Sequence, residues 1–428
     1  MNGSYLLIYA ALLPLLVIAS KQKPLMAFGT GILVTFVAGC ILRGHMTDMA
    51  QLANLTAGMG SLAQIMGLTL CMISAARNLS PTLWIPFVAS AGVTAEWIMS
   101  QLFPVSISIS HHTNSFALKL ASFTGIWGVT FVIWFITACI ASMIFNRRYA
   151  VRPTITILSI MVILILYTEF CSPNPSHKTI RAAAIQGYSA LTLSEETAKL
   201  KGKIDVAVWS ENGMNIDEPD AYESARMNDI IIAANFIEVL PTGKPMNTSY
   251  LISPEGNVIG KCRKQHLFGK EKLEYTQSRM ACPAVSSDNG IKIGVPTCFD
   301  TMFTDVIRNY VRDGAVLILV PNSDPEAPNH FFAKIHAGVT AFRAAENAVP
   351  VVMADTGSIS TIFDSSGRVI AESDHGKPGS ITAQISLRNK TTLYNRVGDI
   401  LAYLCLIFVL LVLFHHWRKK DSKNISAT

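Results

Sequence analysis

The octapeptide Ile293-Gly294-Val295-Pro296-Thr297-Cys298-Phe299-Asp300 decides how the second half of this chain folds. A short β-branched run stops at a proline, a cysteine follows, and a helical pattern over Phe303–Arg312 begins beyond it. Cys298 thus ends a strand ahead of a helix N-terminus, where N–H groups and the helix dipole favour a thiolate and hold an oxyanion. An inert buried thiol is the plain alternative, since cysteine is among the most buried residue types. Upstream, Val206-Ala207-Val208-Trp209-Ser210-Glu211-Asn212 is a buried-strand pattern ending in an acid, at the edge where open α/β sheets bind ligands. By itself Glu211 equally reads as a carboxylate facing water. Between them lies Lys261-Cys262-Arg263-Lys264-Gln265-His266-Leu267-Phe268-Gly269, which alone is a solvated basic run. Together the three segments supply a base, a cation and a nucleophile. With those residue types Glu211 would serve as general base, Cys298 as nucleophile carrying the acyl group, and Lys264 as stabiliser of the tetrahedral intermediate's charge.

Short β-branched runs alternate with helical stretches around these motifs. Strands are expected at Ile180–Gln186, Val206–Trp209, Ile230–Ala234, Thr248–Ile252, Ile291–Val295, Val316–Val320, Val351–Ala354 and Thr361–Phe363. Helices fit Glu195–Lys201, Phe303–Arg312 and Phe331–Asn347, and turn signals stand at Pro254-Glu255-Gly256 and Asp364–Gly367. This pattern predicts an α/β sandwich.

Composition sets a second domain beside it. The 428 residues hold 35 Lys+Arg and 29 Asp+Glu, only 15% charged, and half are apolar; mean hydropathy is +0.37. Disordered, collagen-like and small disulfide-stapled classes are excluded. Residues 1–177 contain eight basic and three acidic residues. Apolar stretches there predict membrane spans at Tyr5–Ser20, Leu25–Leu42, Gly58–Ala76, Thr82–Met99, Phe123–Phe145 and Thr154–Phe170, with a seventh at Ile400–Phe414. The first has neither a basic n-region nor a small-residue cleavage site before Lys21, so it reads as a retained helix. The loops Lys21–Pro24, Arg77–Pro81 and Arg147–Arg152 and the tail Arg418-Lys419-Lys420 are basic and fall on one face, the cytoplasmic one. The segment from Phe170 to Ile400 then lies outside; Arg43, at an outer end, is the exception. These loops account for the net charge of +6 without a nucleic-acid partner. Cys40, Cys71, Cys139 and Cys405 lie in apolar spans, while Cys171, Cys262, Cys282 and Cys298 lie outside; a pair such as Cys262 with Cys282 is one option among several.

The order Glu211, Lys264, Cys298 resembles the nitrilase superfamily. Its setting between membrane helices resembles the apolipoprotein N-acyltransferase family, from about Gly58 onward. The matching residues are Glu96-Trp97, the stretch Ala117–Phe135 with Gly125 and Gly128-Val129-Thr130-Phe131, and Asn322-Ser323-Asp324. Further along they are Arg343-Ala344-Ala345-Glu346-Asn347, Gly357, Asp364, Gly367, Thr392-Leu393-Tyr394 and Gly398-Asp399. The resemblance implies an α-helical polytopic membrane domain plus an α/β nitrilase-like α-β-β-α sandwich. Residues 1–177 would form six membrane helices, 178–390 the extracytoplasmic catalytic domain, and 391–428 a last helix with a basic tail. It further implies a phospholipid acyl donor and, as acceptor, the α-amine of an N-terminal diacylglyceryl-cysteine of lipoproteins. The enzyme would work without cofactor or metal, as a monomer in the bacterial inner membrane, with its catalytic domain on the periplasmic side.

Several residues depart from the family pattern. Ser210 stands where the family has Pro, and Phe299-Asp300 where it has Tyr-Glu. Pro325-Glu326-Ala327-Pro328 replaces Trp-Phe, and the loop from His266 to Glu271 is two residues shorter. The N-terminal membrane portion is shorter by about one helix. Around the triad, Trp209 is a candidate for lining an acyl pocket, although Trp at a strand end usually packs in a core. His266 would either tune Lys264 or serve as a hydrogen-bonded structural imidazole, Glu271 would support the site or be carried off by a different loop path, and Phe299, Asp300 and Asn322 would border it. Glu346 reaches either the triad or Arg343, three residues back. His336 has the spacing of a packing residue, and His111-His112 lacks further metal ligands. The altered loops leave open a membrane-tethered amidase or an acyltransferase with another acceptor. A non-catalytic membrane scaffold on the same fold is the reading of another class.

Overall fold

The computed structural model describes residues 4–43, 49–145, 155, 159, 178–216, 218–239, 241, 243–287, 289–324, 331–387 and 391–425. The chain divides into two compact units, Met1–Ser172 with Val397–Thr428, and Pro173–Arg396.

In the first unit, apolar runs form helices over Leu7–Lys21 (α1), Pro24–Arg43 (α2), Met49–Ala75 (α3), Pro81–Ser100 (α4), Ser115–Thr124 (α5) and Ile126–Phe145 (α6), and a last helix spans Ile400–Ile425. Pro24 and Pro81 open their helices, where a missing N–H breaks no intrahelical bond. Among the described residues, Pro24–Ile41, Pro81–Ser100, Ile126–Ile144 and Ile400–Arg418 are long and apolar enough to cross a bilayer. This is a membrane protein. The expected span Phe123–Phe145 is not one helix: α5 stops at Thr124 and α6 starts at Ile126. Gly125 between them adopts φ +69, a left-handed value that a helix cannot continue through. Nor is 101–121 all loop, because Asn114 caps α5 by accepting from the Phe116 and Ala117 amides. Apart from Ile155 and Ser159, the expected span Thr154–Phe170 and its flank Arg147–Arg152 lie outside the described residues, as does Cys171.

Residues quoted for their family likeness meet inside this unit. Glu96 is buried, and its Oε2 accepts from Ser106 Oγ at 2.6 Å and Thr130 Oγ1 at 3.0 Å. Asp399, just before the last helix, accepts from the indoles of Trp127 at 2.8 Å and Trp97 at 3.4 Å.

The second unit is the α-β-β-α sandwich. Its strands are Thr179–Gln186 (β1), Val206–Trp209 (β2), Met214–Asn215 (β3), Ile231–Val239 (β4), Pro245–Ile252 (β5), Val258–Arg263 (β6), Val285–Ser286 (β7), Lys292–Gly294 (β8), Leu317–Asn322 (β9), Val351–Asp355 (β10), Thr361–Phe363 (β11), Val369–Glu372 (β12) and Gly379–Ser386 (β13). One sheet runs β13-β1-β2-β4-β5-β6 with β3 beside β4, the other β12-β11-β10-β9-β8-β7. The centres, β1-β2-β4 and β8-β9-β10, are parallel, and the flanks are antiparallel. Period-two alternation divides each strand between two cores. Val206 and Val208 point into the layer between the sheets with Ile293, Leu317, Leu319 and Val352. Ala207 and Trp209 point outward against Leu193 of the helix Ala190–Ala198 (α7) and Ala221 and Ala225 of Asp220–Asn228 (α8).

The second sheet is covered by Thr304–Arg312 (α10) and Phe331–Asn347 (α11); the single turn Glu271–Glu274 (α9) precedes them and Leu393–Val397 (α12) follows. Tyr310 of α10 lies so close to Gly294 that a Cβ there would be 2.7 Å from its ring. The strands without an expected counterpart are β3, β6, β7, β12 and β13. Several are short, β12 among them, and in the edge strands β6 and β13 polar residues interrupt the apolar run that marks a buried strand.

Gly367 turns β11 into β12 at φ +79, and a Cβ would sit 2.2 Å from the Ala341 carbonyl oxygen of α11. Gly367→Ala should therefore cost about 2 kcal/mol or more and lower the melting temperature of the full chain in detergent by several degrees. An unchanged melt would contradict this packing.

Candidate active site

Each triad residue is delivered by a different strand end. Beyond β2, Ser210 bonds the Ile185 and Gly187 carbonyls. The Glu211 amide then donates to the Asn322 carbonyl at the end of β9, 3.0 Å away, and the Glu211 carbonyl accepts from Thr356 Oγ1 at 2.8 Å. Glu211 is thereby fixed to the facing sheet.

The basic run is sorted by strand alternation. Lys261 and Arg263 point outward and share Glu238, each at 2.9 Å. Lys264, just past β6, turns inward, with 2% of its side chain exposed. Its Nζ donates to Glu211 Oε1 at 2.9 Å and Glu271 Oε1 at 2.7 Å. Glu271 opens α9, and its Oε2 accepts from the Phe268 amide at 2.7 Å. The shortened loop thus still brings this acid to the lysine. Cys262 is joined to Cys282 in a disulfide, which closes the loop bearing Glu271 back onto β6.

Cys298 does not directly precede α10. It opens its own five-residue 3-10 turn, Cys298–Met302, so α10's dipole is not applied at the thiol as the sequence suggested. Its φ is +47, in the left-handed region that costs a non-glycine residue about 1–3 kcal/mol and persists where surroundings enforce it. Asp300, fully buried, accepts from the amides of Gln265 at 3.0 Å and His266 at 2.7 Å. It latches the segment after Lys264 to the cysteine turn. His266 meets Asp300 through Nδ1 at 3.2 Å and stacks on Phe303, while Phe299 packs between Phe268 and Phe303.

For two residues the structure shows the packing or ion-pair role that the sequence left open beside a functional one. Trp209 packs in the core against α7 and donates to Thr197 Oγ1 at 2.9 Å, because strand parity turns it away from the inter-sheet layer. Glu346 pairs with Arg343 at 3.0 Å, one helical turn back. Asn322 contributes its carbonyl to Glu211, while its side-chain amide donates to Asp324 and Asp355. Pro325-Glu326-Ala327-Pro328 lies outside the described residues.

Sequence reasoning passed over Asn247 and Asn235. Gly213 N donates to Asn235 Oδ1, so Asn235 Nδ2 donates to Asn247 Oδ1 at 2.5 Å. That orientation turns the Asn247 amide NH₂ toward Glu211 Oε1 at 2.7 Å and Glu271 Oε1 at 3.1 Å. The available signal was a buried polar residue inside an otherwise strand-forming run, Met246-Asn247-Thr248-Ser249-Tyr250.

Residues 221–393 match the carbon–nitrogen hydrolase family model. An apolipoprotein N-acyltransferase of Geobacter metallireducens is 25% identical over 374 residues, covering 74% of this chain and 71% of that one. Apolipoprotein N-acyltransferase 1 of Treponema denticola is 22% identical over 377 residues, covering 69% of each. The chain is similar to apolipoprotein N-acyltransferases and carries a carbon–nitrogen hydrolase domain. A solved carbon–nitrogen hydrolase from Helicobacter pylori G27 overlays at 17% identity with a TM-score of 0.44, covering 49% of this chain and 90% of that chain.

The electrostatics of this nitrilase-like site are lopsided. Burial raises the Cys298 thiol well above its ordinary value, and the Glu211 charge adds to this while Lys264 opposes it. Burial alone would lower Lys264, but Cys298, Glu211 and Glu271 together hold its ammonium well above the usual lysine range. At neutral pH the pair rests as thiol and ammonium, so attack needs a base.

Two outcomes follow. Asn247→Ala should reduce kcat by about 10–100-fold with little change in melting temperature, as checked by steady-state kinetics; wild-type kcat would contradict the assigned support. Alkylation of Cys298 by iodoacetamide, followed by peptide mass spectrometry, should accelerate steadily from pH 7 to pH 9. A rate flat across that window would mean that the thiolate already predominates.

Proposed function

We propose that the protein transfers an acyl chain from a phospholipid, through a Cys298 thioester, to the α-amine of an N-terminal diacylglyceryl-cysteine of lipoproteins. The observation that carries this reading is the buried Glu211–Lys264–Glu271 cluster beside Cys298, in a membrane-spanning chain whose relatives bear the N-acyltransferase name. Glu211 takes the Sγ proton as sulfur attacks the ester carbonyl, and Lys264 stabilises the oxyanion. The intermediate expels a lysophospholipid alkoxide, which recovers the proton from Glu211. In the second half the acceptor amine attacks the thioester, an amide C–N bond forms, and the thiolate leaves. The amine's proton, passed through Glu211, restores the thiol. Glu271 and Asn247 keep Lys264 and Glu211 in register through both halves.

The basic ends Lys21, Lys23, Arg77 and Arg418 support a cytoplasmic face for those helix termini. The catalytic unit then faces the periplasm across a bacterial inner membrane. The Cys262–Cys282 disulfide supports the same side, since such bonds persist in oxidising compartments. Phe299-Asp300, in place of the family's Tyr-Glu, favours one rival: the same thioester chemistry with another acceptor, amidase action included.

Mass spectrometry of lipoprotein N-termini separates these readings. A strain lacking the protein should accumulate diacylated termini with a free amine. Wild-type protein should restore the third acyl chain, and Cys298→Ala, folded and inserted, should not. Triacylated termini unchanged by the deletion would overturn the lipoprotein reading.

A further inference from the structure

Behind the nucleophile turn lies a row of buried polar groups that the acyl-transfer chemistry leaves unused. His336, on the inner face of α11, places Nδ1 2.9 Å from Asp324 Oδ1 and Nε2 2.6 Å from Thr301 Oγ1. Thr301 Oγ1 donates in turn to the Cys298 carbonyl at 3.0 Å. On the other side, Asp324 Oδ2 accepts from Asn322 Nδ2 at 3.0 Å, and the Asn322 carbonyl receives the Glu211 amide at 3.0 Å. Asn322, Asp324, His336, Thr301 and Cys298 are all buried.

We propose that His336 is a positioning residue, the central link of a hydrogen-bonded bridge that sets the distance between the general base Glu211 and the nucleophile Cys298. The inference rests on the reading of Cys298 as nucleophile.

Three observations carry it. First, the bridge ends on main-chain atoms of both reacting residues, a carbonyl of Cys298 and an amide of Glu211, so it governs where their side chains start. Second, Cys298 is held at φ +47, a conformation that survives only where neighbours over-determine it. The Thr301 bond to its carbonyl is such a restraint. Third, donors and acceptors match along the row. The Thr301 hydroxyl has one proton and two neighbours within reach. The Cys298 carbonyl can only accept, so the proton directed to it leaves the hydroxyl's lone pairs for His336 Nε2, while Nδ1 of the same ring faces Asp324. Asp324 is suited to this. Burial, the largest influence on it, would raise its carboxyl, yet His336 and Asn322 hold it below the ordinary range. Neighbouring Asp355 goes the other way, pushed up by burial and by Asp324's charge, and accepts the Asp324 and Asn322 donors. A packing residue with helical spacing requires neither a carboxylate on one ring nitrogen nor a hydroxyl on the other.

The test reads the thiol directly, in full-length protein in detergent, with iodoacetamide as probe. Thr301→Val removes the hydroxyl at constant volume, and Thr301→Ser keeps it. Thr301→Val should slow Cys298 alkylation and lower kcat by about tenfold or more, with KM within about twofold, and Thr301→Ser should recover most of the loss. His336→Gln should match Thr301→Val, and the double variant should be no worse than either, because both break one bridge. Wild-type alkylation and kcat in Thr301→Val with an unaltered melt would overturn the bridge. Equal losses in Thr301→Ser and Thr301→Val would reduce it to packing and overturn it likewise. Failure to label Cys298 in the wild type would instead refute its role as nucleophile, and the bridge with it.

Discussion

A lysine ammonium with almost no water contact persists only if counter-charge and hydrogen-bond acceptors meet it inside the protein. Lys264 meets Glu211 and Glu271 at 2.9 and 2.7 Å, and much of the catalytic unit is arranged to make that encounter possible. Breaking one side of such a buried pair costs about 3–5 kcal/mol, because the other charge stays buried. Glu211 is therefore fixed by its main chain to the opposite sheet, Glu271 is returned by a disulfide-closed loop, and Asn247 bridges both carboxylates. The same interaction that stabilises the cluster keeps a cation beside the sulfur, where a tetrahedral oxyanion would form.

Burial raises the Cys298 thiol and Lys264 only partly offsets it, so the sulfur rests protonated, and in the proposed mechanism Glu211 takes its proton. For a proposed enzyme that works between two lipid substrates, this guards a thiol that would otherwise be alkylated or oxidised between turnovers. In the membrane unit the buried Glu96 is met by the Ser106 and Thr130 hydroxyls.

The parallel strands at the centre of the sandwich were legible because they are continuous apolar runs, as sheets covered on both faces must be. The edge strands β12 and β13 were not, since β12 is only four residues long and small and polar residues break up β13. Glu211, Lys264 and Cys298 stood out through order and residue type, and the structure brings all three into one buried electrostatic cluster. Phe123–Phe145 read as a single span because hydropathy does not register a glycine at φ +69. Trp209 and Glu346 were near the triad in sequence or motif, yet strand parity sends one outward and a one-turn ion pair holds the other. Asn247 and Thr301 escaped notice, and His336 read as packing, because they have hydrogen-bond partners far away in sequence, which no local pattern encodes.

The central claim is that Cys298 carries an acyl group drawn from phospholipid. Purified full-length protein, incubated with phospholipid vesicles and no amine acceptor, tests it by intact-mass and peptide mass spectrometry. The account predicts one hydroxylamine-labile acyl adduct on the Cys298 peptide, with one lysophospholipid released per adduct, and no adduct in Glu211→Gln. Lysophospholipid release at wild-type rate from Cys298→Ala, or an adduct on another residue, would contradict it.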